Sequence, residues 1–197
     1  TDLAAYSACF GLPSPPLRQV NVAGPHIPNI EADGEAVLDV QVAAQVAPGL
    51  ESLDLYSYNG SPALESLAFL EQMALPLTPS VYGPQPPDIV SVSYGACEAL
   101  IWQGRSPVVT MIDRQTAVAV TTGMGYYVST GDSGSSGCLH QGAPDAQVSA
   151  SYPSTSPWVT AVGGTALTLN ADNSIGAQAV WNDTLFTPPF FMIGGGG

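Results

Sequence analysis

The run Asp88-Ile89-Val90-Ser91-Val92-Ser93-Tyr94-Gly95 follows a proline-rich connection, Pro76 to Pro87, and stops abruptly at glycine. Its β-branched residues make it the clearest buried strand in the chain. Strand-like and helix-like segments alternate around it. Leu3 to Phe10 has helical spacing and meets Gly11-Leu12-Pro13, a strong stop. Arg18 to Val22 alternates as a short strand, and Gly24-Pro25-His26-Ile27-Pro28 forms a loop in which His26, between prolines, reads as a loop residue rather than a base. A helix around Glu35 runs to Ala47 and ends at Pro48-Gly49. Leu53 to Tyr58 is the next strand, and Ser61-Pro62 opens a helix through Met73. Pro107 to Thr122 is a further helix, and Gly125 to Thr130 returns as a strand into Gly131-Asp132-Ser133-Gly134. Such alternation predicts an α/β layer structure with a mostly parallel sheet, whose chemistry collects at the carboxyl ends of strands, where Gly95 and Asp132 stand.

Beyond these segments, Tyr152-Pro153 to Gly164-Thr165 reads as loop and Ala166 to Leu169 as strand. Ala171-Asp172-Asn173-Ser174 is a turn, and Ala179 to Trp181 a short strand. No internal repeat is present. Phe190 to Ile193 followed by four glycines suggests a chain cut within a domain, with a flexible tail as the other reading.

Sixteen acidic residues face three basic ones, Arg18, Arg105 and Arg114, for a net charge of −13. With so few cations to neutralise phosphates, nucleic acid is excluded as an expected partner. Such a surface repels itself at neutral pH and approaches neutrality when carboxylates protonate, which suits an acidic compartment. No apolar run approaches the roughly eighteen residues of a membrane span. Thr1-Asp2-Leu3 lacks the pattern of a signal peptide, so the chain reads as soluble and already processed, with no membrane partner. Asn59-Gly60-Ser61 and Asn182-Asp183-Thr184 fit the N-glycosylation pattern. The three cysteines, Cys9, Cys97 and Cys138, leave one unpaired if an internal disulfide forms, and none has metal-ligand spacing.

Glu35 and Asp39 are four residues apart in an otherwise apolar, Ala-rich run. On a helix they share one face, which Val42 and Val46 continue, so both carboxylates are expected to point at packed protein. Two adjacent anions there share a proton or hydrogen bond onward and titrate as a coupled unit, which is chemistry for a general base at acid pH. The competing reading is a helix start whose acids are favoured by the macrodipole.

Gly131-Asp132-Ser133-Gly134 also surrounds the nucleophile of trypsin-like proteases. Those proteins are all-β and need a base histidine, whereas this chain alternates helix and strand and neither His26 nor His140 has suitable surroundings. Asp132 is therefore favoured over Ser133 as the functional residue. A carboxylic acid kept protonated at a strand end donates a hydrogen bond to a developing oxyanion, a role confined to low pH. It matches a glutamate base with an unperturbed pKa of about 4.3.

These segments together resemble the sedolisins, or serine-carboxyl peptidases. Gly34-Glu35-Ala36-Val37-Leu38-Asp39 with Ala47-Pro48-Gly49 is similar to the family's Glu/Asp helix and its stop. Ile89 to Gly95 resembles the substrate-binding strand, and Ser129-Thr130-Gly131-Asp132-Ser133-Gly134 the oxyanion loop. Tyr152-Pro153-Ser154-Thr155-Ser156-Pro157-Trp158-Val159-Thr160-Ala161-Val162-Gly163-Gly164-Thr165 resembles the most recognisable family signature, and Trp181-Asn182-Asp183 and the terminal glycines fit as well. The resemblance covers nearly the whole chain. It implies a subtilisin-like three-layer α/β fold, incomplete in this chain. Glu35 becomes the general base, Asp39 its partner and Asp132 the oxyanion donor, with Ser93, Tyr94 and Gly95 lining the cleft for a peptide or protein substrate.

Two family features have no counterpart here: the SGTS segment that carries the nucleophile, and the loop that binds Ca2+ near the family's C-terminus. The family's first strand is also unmatched. Residues 1–197 thus read as the middle portion of one peptidase catalytic domain, with Ca2+ expected only in the missing C-terminal part. The expected activity is acid serine peptidase, endo- or tripeptidyl-, completed by a second chain or segment carrying the serine, as in proteolytically processed two-chain members. The expected location is secreted or in a lysosome-like acidic vesicle. Cys97 and Cys138 lie just beyond neighbouring strands and are expected to pair, leaving Cys9 free or for a partner. The alternative is a non-catalytic sedolisin-like binding chain.

Overall fold

Gly11 ends the first helix, α1 (Asp2–Phe10), in the left-handed conformation (φ 65°), and the Leu12 amide returns to Ser7 O at 2.9 Å. This is the helix stop that Gly11-Leu12-Pro13 predicts. The computed structural model describes residues 2–22, 30–58, 85–99, 107–135 and 148–182. It divides into two compact units, Thr1–Val81 and Tyr82–Gly197.

In the first unit, α1 leads to strand β1 (Leu17–Val22), helix α2 (Ile30–Val46) and strand β2 (Leu53–Tyr58). The two strands pair in parallel, Leu17 opposite Leu53 through Val22 opposite Tyr58, with the helix-bearing connection that parallel pairing requires. Leu3 of α1 and Val40 and Ala44 of α2 form the buried core, with Leu53 and Leu55 packed against it. Tyr6 donates to Gln45 Oε1 at 2.7 Å, joining the helices at their margin. α2 stops as expected before Pro48-Gly49 but begins at Ile30, so Gly34 lies within the helix rather than at its start.

The second unit carries a three-stranded parallel sheet in the order β3-β5-β7, built from β3 (Ile89–Val92), β5 (Gly125–Ser129) and β7 (Thr160–Val162). Helix α3 (Pro107–Thr121) connects β3 to β5. Val109, Ile112, Thr116 and Ala119 recur at three- and four-residue steps, and all are buried. Thr116 satisfies its buried hydroxyl by donating to Ile112 O at 2.8 Å. On β5, Tyr126 and Val128 are buried while Tyr127 faces out. β3 is shorter than the strand expected from Asp88 to Gly95 and is not buried throughout. It is the sheet's edge among the described residues, with Val90 buried and Ile89 65% exposed. β7 lies inside the segment read as loop.

Two short antiparallel pieces complete this unit. β4 (Ala96–Cys97) pairs with β6 (Ser151–Tyr152), and β8 (Thr165–Leu169) forms a hairpin with β9 (Ile175–Val180). The hairpin turn is the expected Asp172-Asn173-Ser174. Asn173 takes φ 63° and Asp172 Oδ1 accepts from the Ser174 hydroxyl at 2.6 Å. β9 starts earlier than the strand expected from Ala179 to Trp181. No helix among the described residues is long and apolar enough to cross a membrane. The His26 loop, the Ser61 to Met73 helix, Asn59, Cys138, His140 and the terminal glycines lie outside the described residues.

Candidate active site

Glu35 and Asp39 stand one turn apart on α2, both half-buried, as their spacing predicts. The face they share differs from the one expected. Val42 and Val46, which continue it, are 46% and 79% exposed, whereas the core-facing side is set by Val40 and Ala44. At about 100° per residue these two pairs point to opposite sides of the helix. The carboxylates therefore lie on the side of α2 turned away from the Leu3 core, beside exposed Leu38.

In the second unit, β3 and β5 run parallel with Val92 opposite Val128, so the segments that leave their carboxyl ends emerge side by side. From β3 come Ser93, half-buried, Tyr94, 43% exposed, and Gly95, which lead directly into β4. From β5 come Gly131, Asp132 and Ser133. Gly131 has φ 88°, a conformation that favours glycine, and it turns the chain so that Asp132 is exposed beyond the strand. The structure thus brings the expected substrate strand and oxyanion loop together at the carboxyl end of the sheet. Glu35 and Asp39 belong to the first unit. A parallel sheet also removes the trypsin-like reading of Ser133.

Sequence reasoning missed what holds these two loops. A side chain on Gly95 would meet Ser151 Cβ at 3.2 Å and Tyr152 O at 3.3 Å, and one on Gly131 would meet Ser151 Oγ at 3.3 Å. The antiparallel pairing of Cys97 with Ser151 and Ala96 with Tyr152 fixes one contact, and the Ser149 amide donates to Ser135 O at 2.9 Å on the other side. Tyr152 is buried, and its hydroxyl donates to Asp113 Oδ1 at 3.2 Å on α3. Burial first, and the neighbouring Asp113 charge second, push this phenol far above the usual tyrosine range, so it remains a donor. Two close-approach glycines at strand ends were the available signal; the role of Asp113 left none.

Cys97 is disulfide-bonded and Cys9 is a free, exposed thiol. Both states agree with the expected pairing. Asn182 is exposed. Among the described residues no group of three or more His, Cys, Asp or Glu side chains is gathered to hold a metal ion.

No protein-family model matches the chain. Kumamolisin of Bacillus sp. (strain MN-32) is 32% identical over 192 residues, covering 93% of this chain and 31% of that protein. Sedolisin of Pseudomonas sp. (strain 101) is 36% identical over 110 residues, 55% of this chain and 18% of that protein. The solved structure of Pseudomonas sedolisin, a serine-carboxyl proteinase complexed with two molecules of pseudo-iodotyrostatin, superposes with a TM-score of 0.84. It is 28% identical, and the match covers 100% of this chain and 52% of that one. The chain thus spans about half of the sedolisin in that structure or less of these relatives, and its fold is their α/β, subtilisin-like fold with part of it not included. Similarity on this scale, together with the paired loops at the ends of β3 and β5, places the chain in the sedolisin family of serine-carboxyl peptidases.

Proposed function

We propose that this chain is the part of an acid-acting serine-carboxyl peptidase that supplies the base and the oxyanion donor, the attacking serine coming from a segment or chain outside these 197 residues. Glu35, paired with Asp39, takes the proton from that serine hydroxyl as its oxygen bonds to the scissile carbonyl carbon. Protonated Asp132 donates to the oxygen that becomes negative. The proton on Glu35 then passes to the leaving amine as the C–N bond breaks, and water releases the acyl group by the same steps in reverse. Ser93, Tyr94 and Gly95 bind an extended peptide along the end of β3. The observation that carries this reading is the adjacency of Ser93–Gly95 and Gly131–Asp132 at the ends of paired strands.

Residues 1–197 form the middle of the catalytic domain in this proposal, and Ca2+ belongs to the C-terminal part not included here. A secreted or lysosome-like location follows from the requirement for a protonated Asp132 and from the acidic composition. Asn59 and Asn182 are then candidate glycan acceptors, and a second chain is the expected partner.

The test is intact mass spectrometry of the native protein under denaturing conditions, after incubation at about pH 4 with a serine-directed aldehyde or phosphonate. A labelled polypeptide that associates with this chain, or extends it, is the expected result. An unlabelled species would favour a non-catalytic sedolisin-like binding chain.

A further inference from the structure

We infer that Asp113 is a positioning residue for the cleft: from α3 it fixes the Ser151–Ser156 segment, and through Ser151 it sets the spacing between the Gly95 and Gly131 loops. Asp113 Oδ1 accepts from two hydroxyls at once, Ser156 Oγ at 2.8 Å and Tyr152 at 3.2 Å. Both donors are buried, at 7% and 1% exposure, so water cannot replace the carboxylate. The other acceptor near the Tyr152 hydroxyl is Val109 O at 3.5 Å, at the limit of a hydrogen bond. Removal of the acceptor strands two buried donors.

The segment is closed upon itself between these anchors. Ser154 Oγ donates to Ser151 O at 2.6 Å, and the Ser156 amide donates to Pro153 O at 2.9 Å. A displacement at Asp113 is therefore passed along a short, internally bonded stretch to Ser151. There a Cβ added at Gly95 would stand 3.2 Å from Ser151 Cβ and one added at Gly131 3.3 Å from Ser151 Oγ, so both loops approach Ser151 too closely for a larger residue to fit without a shift. Close-packed contacts of this kind transmit strain rather than absorb it. Asp113 touches no reacting atom; its effect on turnover rests on the peptidase reading above, whereas its effect on loop geometry does not.

The test compares Asp113→Ala, Asp113→Asn and the core truncation Ile112→Ala in the full-length protein, well below melting. Amide hydrogen exchange is followed across 93–97 and 131–135, together with kcat and KM for an extended peptide. Asp113→Ala is expected to speed exchange in both loops about tenfold, a loss of roughly 1.4 kcal/mol of protection, while α1, β1 and β2 are unchanged. It should also lower kcat/KM about tenfold, mainly through KM. Asp113→Asn keeps the Oδ1 acceptor and should stay within about twofold of wild type. Ile112→Ala should destabilise the protein without selectively loosening the two loops. Equal loop exchange in Asp113→Ala and wild type, or the same pattern in Ile112→Ala, overturns the inference. If Asp113→Ala does not fold, Tyr152→Phe and Ser156→Ala each remove one tether and carry the same comparison. A protein that shows the exchange pattern but takes no serine label refutes the peptidase reading and leaves the positioning role standing.

Discussion

Arg18 faces Asp54 directly across the parallel β1–β2 pair, and its Nε donates to Asp54 Oδ1 at 2.9 Å. The guanidinium holds the Asp54 carboxyl below the usual aspartate range, its hydrogen bond outweighing partial burial. A depressed folded-state value means that the stabilisation is fully present above the unfolded pKa of about 3.9 and is lost as pH falls through the lower folded value. The melting temperature should therefore decline as pH drops below about 4, and Asp54→Asn should flatten that part of the profile. Superimposable melting curves for the two proteins across pH 2 to 6, roughly the window in which carboxylates titrate, would show that the pair contributes nothing.

Leu3→Ala removes a buried side chain from the contact between α1 and α2 and should cost about 2–4 kcal/mol. Val46→Ala, on the other side of α2, should change stability by no more than about 0.5 kcal/mol. Urea denaturation of the two variants measures the contrast, and a larger loss at Val46 would reverse the assignment of the helix faces.

Glu35→Gln should lower kcat about 10²–10⁴-fold, the range of a lost general base, with circular dichroism unchanged. The glutamine keeps the shape and removes the proton acceptor. Unaltered turnover in the assembled enzyme refutes Glu35 as the base.

Asp132→Asn should move the alkaline limb of the activity profile upward rather than abolish activity, because an amide donates whatever its surroundings' pH. A pH–rate profile of the variant decides this; an alkaline limb identical to wild type removes Asp132 from the oxyanion role.

Cys9 should react with a maleimide without prior reduction, as expected of an exposed free thiol, and Cys97 should be labelled only after reduction. Peptide mapping of the alkylated protein reads both sites, and labelling of Cys97 in unreduced material would contradict the disulfide.

Helix and strand positions were legible where local chemistry punctuates the chain. Gly11-Leu12-Pro13 and Pro48-Gly49 stop α1 and α2, and Asp172-Asn173-Ser174 turns the hairpin. The face of α2 was not, because Val37, Leu38, Val40, Val42, Ala44 and Val46 surround most of its circumference and no single apolar stripe stands out. β7 was hidden by its length of three residues and by Gly163-Gly164 beside it. At the site, Ser93–Gly95 and Asp132 could be named from motifs at strand ends. Asp113 could not, because its partners lie 39 and 43 residues further along and nothing in its own helix marks it.

The order β3-β5-β7 bears on how the second unit assembles. Each parallel pair joins segments well separated in sequence, so no hairpin can nucleate either one. β5 reaches β3 only by closing the long stretch that contains α3, and β7 reaches β5 only by closing the stretch that contains the Tyr152 segment. The entropy of closing both loops is spent before the sheet gains its inner strand contacts. This unit should therefore collapse late and slowly, with β5 as the strand on which both halves of its sheet converge.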